Sequence, residues 1–310
     1  MIETMDDRDG WIWLDGRLVP WREARAHTLT HALHYGSSVF EGERIYGGRV
    51  FRLSAHSARL LRSARLVDMM LPWTREQIDE ATRAVVKANG LTEGYVRPIA
   101  WRGSEALGVS GIGISTHLAI APWAWPNYFS GEAKMRGVRL RMAQFRRPAP
   151  ESAPGESKCG GLYVICTLEK DRAIATGFDD ALMLDWKGRV AEATGANIFL
   201  SIDGKLVTPI PENFLDGITR RAVIGLAQAR GLEVVEREVW PEDLARATDV
   251  FLTGSASEIT PVREIDGHHY QVGPLVKTLI DDFAALVLRE DAEGFGENDH
   301  PRDPPLEHAA

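Results

Sequence analysis

The sequence predicts an α+β protein in two domains, and three observations carry that expectation. Tight-turn pairs such as Asp15-Gly16 and Gly47-Gly48 separate short strand-like runs, and helical patterns with start and stop signals lie between the hairpins. A segment loaded with Pro and Trp, Pro122 to Gly131, then interrupts the alternation. Beyond it a second series of hairpins and helices begins, and a chain of 310 residues can bury one large core or two moderate ones.

The first domain, residues 1–122, opens with a hairpin, Trp11–Leu14 and Arg17–Val19 around the Asp15-Gly16 turn. A second hairpin joins Ser38–Tyr46 to Val50–Leu53 through Gly47-Gly48. Ser54 is placed to cap a helix running to Val67, and Thr74 with Gln77 forms a capping box for another that stops at Asn89-Gly90. Gly94–Trp101 reads as a strand whose Pro98 suggests an edge or a bulge, and His117–Ala121 as one more.

Residues 123–136 are expected to join the domains. Their rings, Trp123, Trp125 and Tyr128, fit a linker pinned at both ends or a flap over a cleft. The second domain, 137–290, starts with the strand Val138–Met142. It continues with hairpins at Lys187-Gly188 and Asp203-Gly204, a helix from Thr219 stopped by Gly231, and a last helix from Pro274. Residues 291–310, rich in Asp, Glu, Pro and His, have the composition of a disordered tail.

Composition narrows the function. A hydrophobic share of 44% and a charged share of 26% are those of a soluble globular protein, and a net charge of −8 argues against a nucleic-acid partner. There is no apolar run of membrane-spanning length and no signal-peptide pattern at Met1–Asp7. Cys159 and Cys166 have no further Cys or His near enough for a metal set, so a reduced, cytoplasmic protein without a metal is expected.

Ser157-Lys158-Cys159-Gly160-Gly161 follows a loop of Pro and Gly and feeds a helical pattern from Leu162 to Gly177. A lysine held beside apolar residues there would have a depressed pKa, and only a neutral amine forms a Schiff base. Tyr163 lies about one and a half helical turns on. The same pattern also fits a solvated lysine at a helix start. Gly217-Ile218-Thr219 offers free first-turn amides that favour phosphate, or is an ordinary helix entry. Gly254-Ser255-Ala256-Ser257 follows a strand and is either a plain turn or a loop open to a ligand. Glu192 could pair with a protonated heteroaromatic nitrogen, Arg59 is by default a surface arginine, and Tyr95 and Arg97 share one strand face as a carboxylate clamp.

The combination is more specific than its parts. His31-Ala32-Leu33-His34-Tyr35-Gly36-Ser37-Ser38-Val39-Phe40-Glu41-Gly42 resembles the opening signature of the branched-chain amino acid aminotransferases. The resemblance continues in order through Tyr95–Pro98, Ser157-Lys158 with Tyr163, Glu192 to Phe199, Gly217–Arg220 and Gly254–Val262, over roughly residues 10 to 290. It implies a pyridoxal 5'-phosphate (PLP) enzyme of fold type IV, like the D-amino acid aminotransferases in architecture. A small α/β domain and a larger pseudo-barrel domain would hold the cofactor in the cleft between them.

In that family resemblance Lys158 would carry the internal aldimine and shuttle a proton, and Glu192 would hold the pyridine nitrogen protonated. Tyr163 would bond the ring oxygen, and Arg59, the Ile218 and Thr219 amides and Ser255 would hold the phosphate. A substrate α-carboxylate would meet Tyr95 and the amides at Ser255 and Ala256. Phe40 and Trp123 would form an apolar pocket for Leu, Ile or Val. The distal carboxylate of glutamate would reach Arg97 and, from a partner subunit, Tyr35 and Val109, which makes a homodimer the expected unit. Amino acids and 2-oxo acids, with 2-oxoglutarate as acceptor, are the expected partners. D-amino acid transaminases, (R)-amine transaminases and aminodeoxychorismate lyase share the fold and are the alternatives, against which the Tyr95-x-Arg97 clamp weighs.

Overall fold

The computed structural model describes residues 4–125 and 135–295. Its first sheet consists of β1 (Trp11–Leu14), β2 (Arg17–Pro20), β3 (Ser38–Phe40), β4 (Glu43–Tyr46), β5 (Arg49–Val50), β6 (Gly94–Arg102) and β7 (Thr116–Trp123). The order is β2-β1-β7-β6-β4-β5, with β3 also on β6. Between β2 and β3 lies the short α1 (His31–Tyr35). One face of the sheet is covered by α2 (Leu53–Arg65) and α3 (Arg75–Ala88), the latter with the expected Thr74–Gln77 capping box. Period-two alternation in β6 sends Val96 and Ala100 into this core with Ile45, Leu60, Ile78 and Leu118. Each such fully buried aliphatic side chain contributes ~1.5–3 kcal/mol. Tyr95, Arg97, Ile99 and Trp101 therefore stand on the opposite face.

The second sheet runs through β8 (Val138–Met142), β9 (Asp180–Leu184), β10 (Val190–Ala193), β11 (Asn197–Ile202), β12 (Lys205–Pro209), β13 (Val234–Arg237), β14 (Asp249–Gly254), β15 (Glu258–Ile265) and β16 (His268–His269). Its order is β10-β9-β8-β15-β14-β11-β12-β13, and an extra β10–β11 pairing closes the first six into a ring. The closing pair is Glu192 with Asn197. α4 (Tyr163–Ala175) packs on β9, and α5 (Ile218–Ala229) packs on β14 and α6 (Pro274–Leu286). The α5–α6 side is filled by Leu279, Phe283 and the stacked pair Phe199–Phe251, ring centroids 5.1 Å apart. The architecture is thus a small α/β domain beside a larger barrel-like one. Among the described residues no helix is long and apolar enough to cross a membrane.

Several local expectations give way to tertiary packing. The return strand of the second hairpin is only β5, because Phe51 turns away to pack in the large-domain core with Tyr46. Arg52, at φ 51°, sits at the N-cap in the left-handed region, so α2 starts at Leu53 and Ser54 is not its cap. The free amide of Ser54 instead donates to Glu293 at 2.7 Å. That contact belongs to the stretch expected to open the disordered tail. Residues 291–295 form turns, Ala292 is buried and Phe295 packs on the core, and 296–310 lie outside the described residues. Pro98 is neither at an edge nor in a bulge: β6 is central, paired with β7 on one side and with β3 and β4 on the other. Its carbonyl accepts from the Glu41 amide where the neighbour passes from β3 to β4. The missing N–H points into that break, where no ladder bond is lost. Trp123 belongs to β7 rather than to a joining loop, while Tyr128 falls outside the described residues.

Candidate active site

The Lys158 segment is pinned to the small domain before any ligand is considered. The Lys158 carbonyl accepts from the Phe40 amide at 3.1 Å, and Cys159 bridges to Val39 in antiparallel fashion. Its own amide donates to Ser63 Oγ of α2 at 3.0 Å, while Ser157 Oγ donates to the Ser63 carbonyl. The seam is tight: a Cβ on Gly36, where φ is 66°, would lie 2.9 Å from Gly161 Cα. Thus the segment after the Pro/Gly loop has one path, and it aims a partly buried lysine inward. Lys158 Nζ donates to Tyr163 OH at 2.8 Å and lies 4.9 Å from the centre of the Phe40 ring. Burial, with the Arg59 guanidinium adding to it, brings the Lys158 pKa down to about 8. Burial also pushes the Tyr163 phenol up, so that side chain is neutral.

One cavity gathers Lys158, Tyr163, Arg59, Tyr95, Glu192, Ile218, Thr219, Ser255 and Ala256. Glu192 comes from the pair that closes the ring of strands. It is buried, and desolvation raises its pKa, against which the charge of Arg147 acts. Its neighbour Asn197 ties down the next turn, donating to the Leu215 carbonyl at 2.8 Å and accepting from the Gly217 amide at 3.1 Å. A Cβ on Gly217 would fall 2.2 Å from that side-chain oxygen. α5 therefore starts at Ile218 with its first amides directed at the cavity and no side-chain cap on them. Arg59 is held from behind, donating Nε and Nη2 to Glu41 at 2.6 and 2.7 Å. His56 Nδ1 also meets that carboxylate at 2.7 Å. Although burial opposes ionisation, Arg59 and His56 hold Glu41 well below the usual carboxylate range. Arg59 is thus no surface residue.

Beside Tyr95 an aromatic cluster adjoins the cavity, and the expected substrate residues Phe40, Arg97 and Trp123 stand in it without lining the cavity themselves. Arg97 lies over Phe40, 4.9 Å from its ring centre to the guanidinium carbon, the same distance as Lys158 Nζ from that ring. Arg97 Nη2 reaches Tyr95 OH at 3.5 Å, the two side by side as their strand spacing requires. Trp123 and Trp125 each stand 5.1 Å from the Tyr95 ring, centroid to centroid. Tyr35 and Val109 are not part of the cavity: they are 44% and 83% exposed on the chain's surface. Arg147, Cys166, Glu41, His56 and Asn197 belong to or support the site without having been singled out for it from sequence. Nothing local marks Arg147, since its Pro-rich loop gives no period to read. Glu41 and Asn197 lie inside the motifs quoted above. Among the described residues no group of three or more His, Cys, Asp and Glu could hold a metal ion.

Comparison with known proteins gives this geometry a context. The family model for amino-transferase class IV matches residues 38–265. A branched-chain-amino-acid aminotransferase of Pseudomonas aeruginosa is 43% identical over 291 residues, covering 92% of this chain and 95% of the relative. The solved structure of a branched-chain aminotransferase from the thermophilic archaeon Thermoproteus uzoniensis with norvaline superposes with a TM-score of 0.88 at 35% identity, covering 93% of this chain and 98% of that one. The branched-chain amino acid aminotransferase of Thermobaculum terrenum in its PLP form gives 0.85 at 30% identity, covering 93% of this chain and 97% of that one. The chain therefore belongs to the class IV aminotransferases and, among them, to the branched-chain-amino-acid aminotransferases.

Proposed function

We propose that the chain uses PLP to move the amino group of L-leucine, L-isoleucine or L-valine reversibly to 2-oxoglutarate, with Lys158 as anchor and proton carrier. The observation that carries this reading is a partly buried lysine 2.8 Å from a neutral phenol, in one cavity with a buried carboxylate. Two features fit the cofactor. The first amides of α5 carry no cap. The buried Thr253 Oγ1, in the same cavity, has no hydrogen-bond partner among the described residues. When bound, PLP supplies a carbonyl for an amine and an electron sink for the α-carbon.

The chain's own residues divide the remaining work. Arg59, fixed by Glu41, together with the Ile218 and Thr219 amides and Ser255, would hold the phosphate, the site of a helix N-terminus and a guanidinium being suited to an anion. Glu192 would accept from the ring nitrogen, and Tyr163 would donate to the ring oxygen. Lys158, at a pKa near 8, is a usable base and acid at neutral pH and would carry the proton across one face of the substrate. Tyr95 with the Ser255–Ala256 amides would orient the α-carboxylate, and Phe40 and Trp123 would take the aliphatic side chain. Arg97 would receive the distal carboxylate of glutamate. The exposure of Tyr35 and Val109 suits residues that complete the pocket of a second copy, so the working unit would be at least a homodimer.

The test is a set of half-reactions. The PLP-loaded protein, mixed with single L-amino acids, D-amino acids and (R)-amines, should convert fastest with leucine, isoleucine, valine and glutamate. A preference for D-amino acids or (R)-amines would replace this reading by that of another class IV enzyme.

A further inference from the structure

We propose that Arg147 is the residue that keeps Glu192 an acceptor: its guanidinium, sealed in the catalytic cavity, is the counter-charge without which the buried Glu192 carboxyl would hold a proton. The proposal rests on the reading that Glu192 faces the ring nitrogen of bound PLP. An ionised carboxylate can only accept, so the ring nitrogen must then bring the proton. A protonated carboxyl would instead donate its own proton to an unprotonated nitrogen, and the ring would lose its strength as an electron sink. One proton is shared between two atoms, and the charge beside the oxygen decides which atom carries it.

The geometry singles out Arg147. Its side chain is only 4% exposed and its Nε lies 3.4 Å from Glu192 Oε1, a charge pair without hydrogen-bond alignment. Other contacts fix the guanidinium: Nη2 donates to the Gly155 carbonyl at 3.4 Å and Nη1 leans on Cys166 Sγ at 3.7 Å, while the Arg147 amide is tied to Leu184. The cation is therefore held in place even when Glu192 turns its oxygens to a ligand. The cations of Lys158 and Arg59 act on Glu192 in the same direction as Arg147 but less strongly. Lys158 is committed to the covalent chemistry, Arg59 is engaged by Glu41, the Tyr163 phenol is neutral, and burial pushes the Cys166 thiol up to about 11. A buried carboxylate left without its counter-charge protonates rather than remain ionised.

Infrared difference spectra of the full chain, with E192Q as subtraction partner, read the protonation of Glu192 directly. Wild type at pH 7.5 should show a carboxylate and no carboxylic C=O band. R147M and R147Q should each show that band, and R147K should not. The holoenzymes give an independent readout. Loss of the cation moves the shared proton from the ring nitrogen to the Glu192 oxygen with none taken up or released, so in R147M the nitrogen of ¹⁵N-labelled PLP should lose its proton while R147K keeps it, and proton abstraction should slow at every pH. A packing defect would slow the reaction and leave the nitrogen protonated. An ionised Glu192 in R147M, a protonated one in wild type, or a ring nitrogen still protonated in R147M would each overturn the proposal. Failure of the underlying reading looks different. If the nitrogen of ¹⁵N-labelled PLP stays equally protonated in wild type and E192Q, Glu192 is not its partner, whatever the infrared bands show for Arg147.

Discussion

The large-domain wall of the cavity, from Glu192 and Arg147 round to Ser255, is made of charges and backbone donors. On the small-domain side Tyr95 lines the cavity, and beside it stand the rings of Phe40, Trp123 and Trp125 around the Arg97 guanidinium. The first stands on a closed ring of strands, where Glu192 and Asn197 form the closing pair and Asn197 bonds the turn that starts α5. Its groups are positioned by several contacts each, as chemistry sensitive to small displacements requires. The second stands on the face of an open sheet turned away from α2 and α3. Its members meet through ring packing, which tolerates different side chains between them. The contrast assigns chemistry to the barrel and selection to the open sheet, with Lys158 on the seam between.

The largest expected effect tests the seam. Lys158→Ala should still bind PLP through the phosphate-side groups but lose transamination by at least about four orders of magnitude, since anchor and proton carrier go together. Borohydride treatment of the loaded wild type should fix the cofactor on the peptide bearing Lys158, and a label on another lysine would move the seam elsewhere. Next comes the barrel wall. Glu192→Gln should slow proton abstraction on the order of a hundredfold, the scale of one lost preorganised electrostatic contact, while PLP affinity changes far less. A near-normal first half-reaction would reduce Glu192 to a strand residue and break the contrast.

The open-sheet wall is tested by Arg97→Ala. Loss of one partner of a desolvated charge pair costs about 2–5 kcal/mol, so 2-oxoglutarate should be impaired ~30-fold or more. Leucine, which brings no charge to that place, should be affected much less. Equal losses for both substrates would mean that Arg97 serves the α-carboxylate or the fold. The finest test is a pH profile. The Lys158 ammonium is the acid form, and its pKa of about 8 lies below the ordinary value of 10.5. The reactive neutral amine of the apoprotein should therefore fall about tenfold per unit below pH 8. Reductive labelling with pyridoxal against pH measures this, and a midpoint near 10.5 would show a solvated side chain.

Local patterns in the sequence carried much of this molecule. The capping box at Thr74, the stops at Asn89-Gly90 and Gly231, and the hairpins at Asp15-Gly16 and Asp203-Gly204 depend on neighbouring residues alone, and they form as their side chains dictate. The two-residue spacing of Tyr95 and Arg97 likewise put both on one face. The motif resemblance pointed to Lys158, Glu192 and the turns at Gly217 and Gly254, which the fold brings to one cavity, because those segments carry fixed residues at fixed offsets. Contacts between segments far apart in the chain were not legible. Arg52 caps α2 in place of Ser54 because Phe51 is drawn into a core more than a hundred residues away in sequence. Pro98 sits mid-sheet because a neighbouring strand breaks opposite it. Arg147 meets Glu192 only because β8 and β10 both flank β9 in the same closed ring. Residue type and short spacing decide turns, caps and strand faces; which buried charges neutralise one another is decided by where the folded chain brings them, since a charge pair is set by distance in space and solvent exclusion.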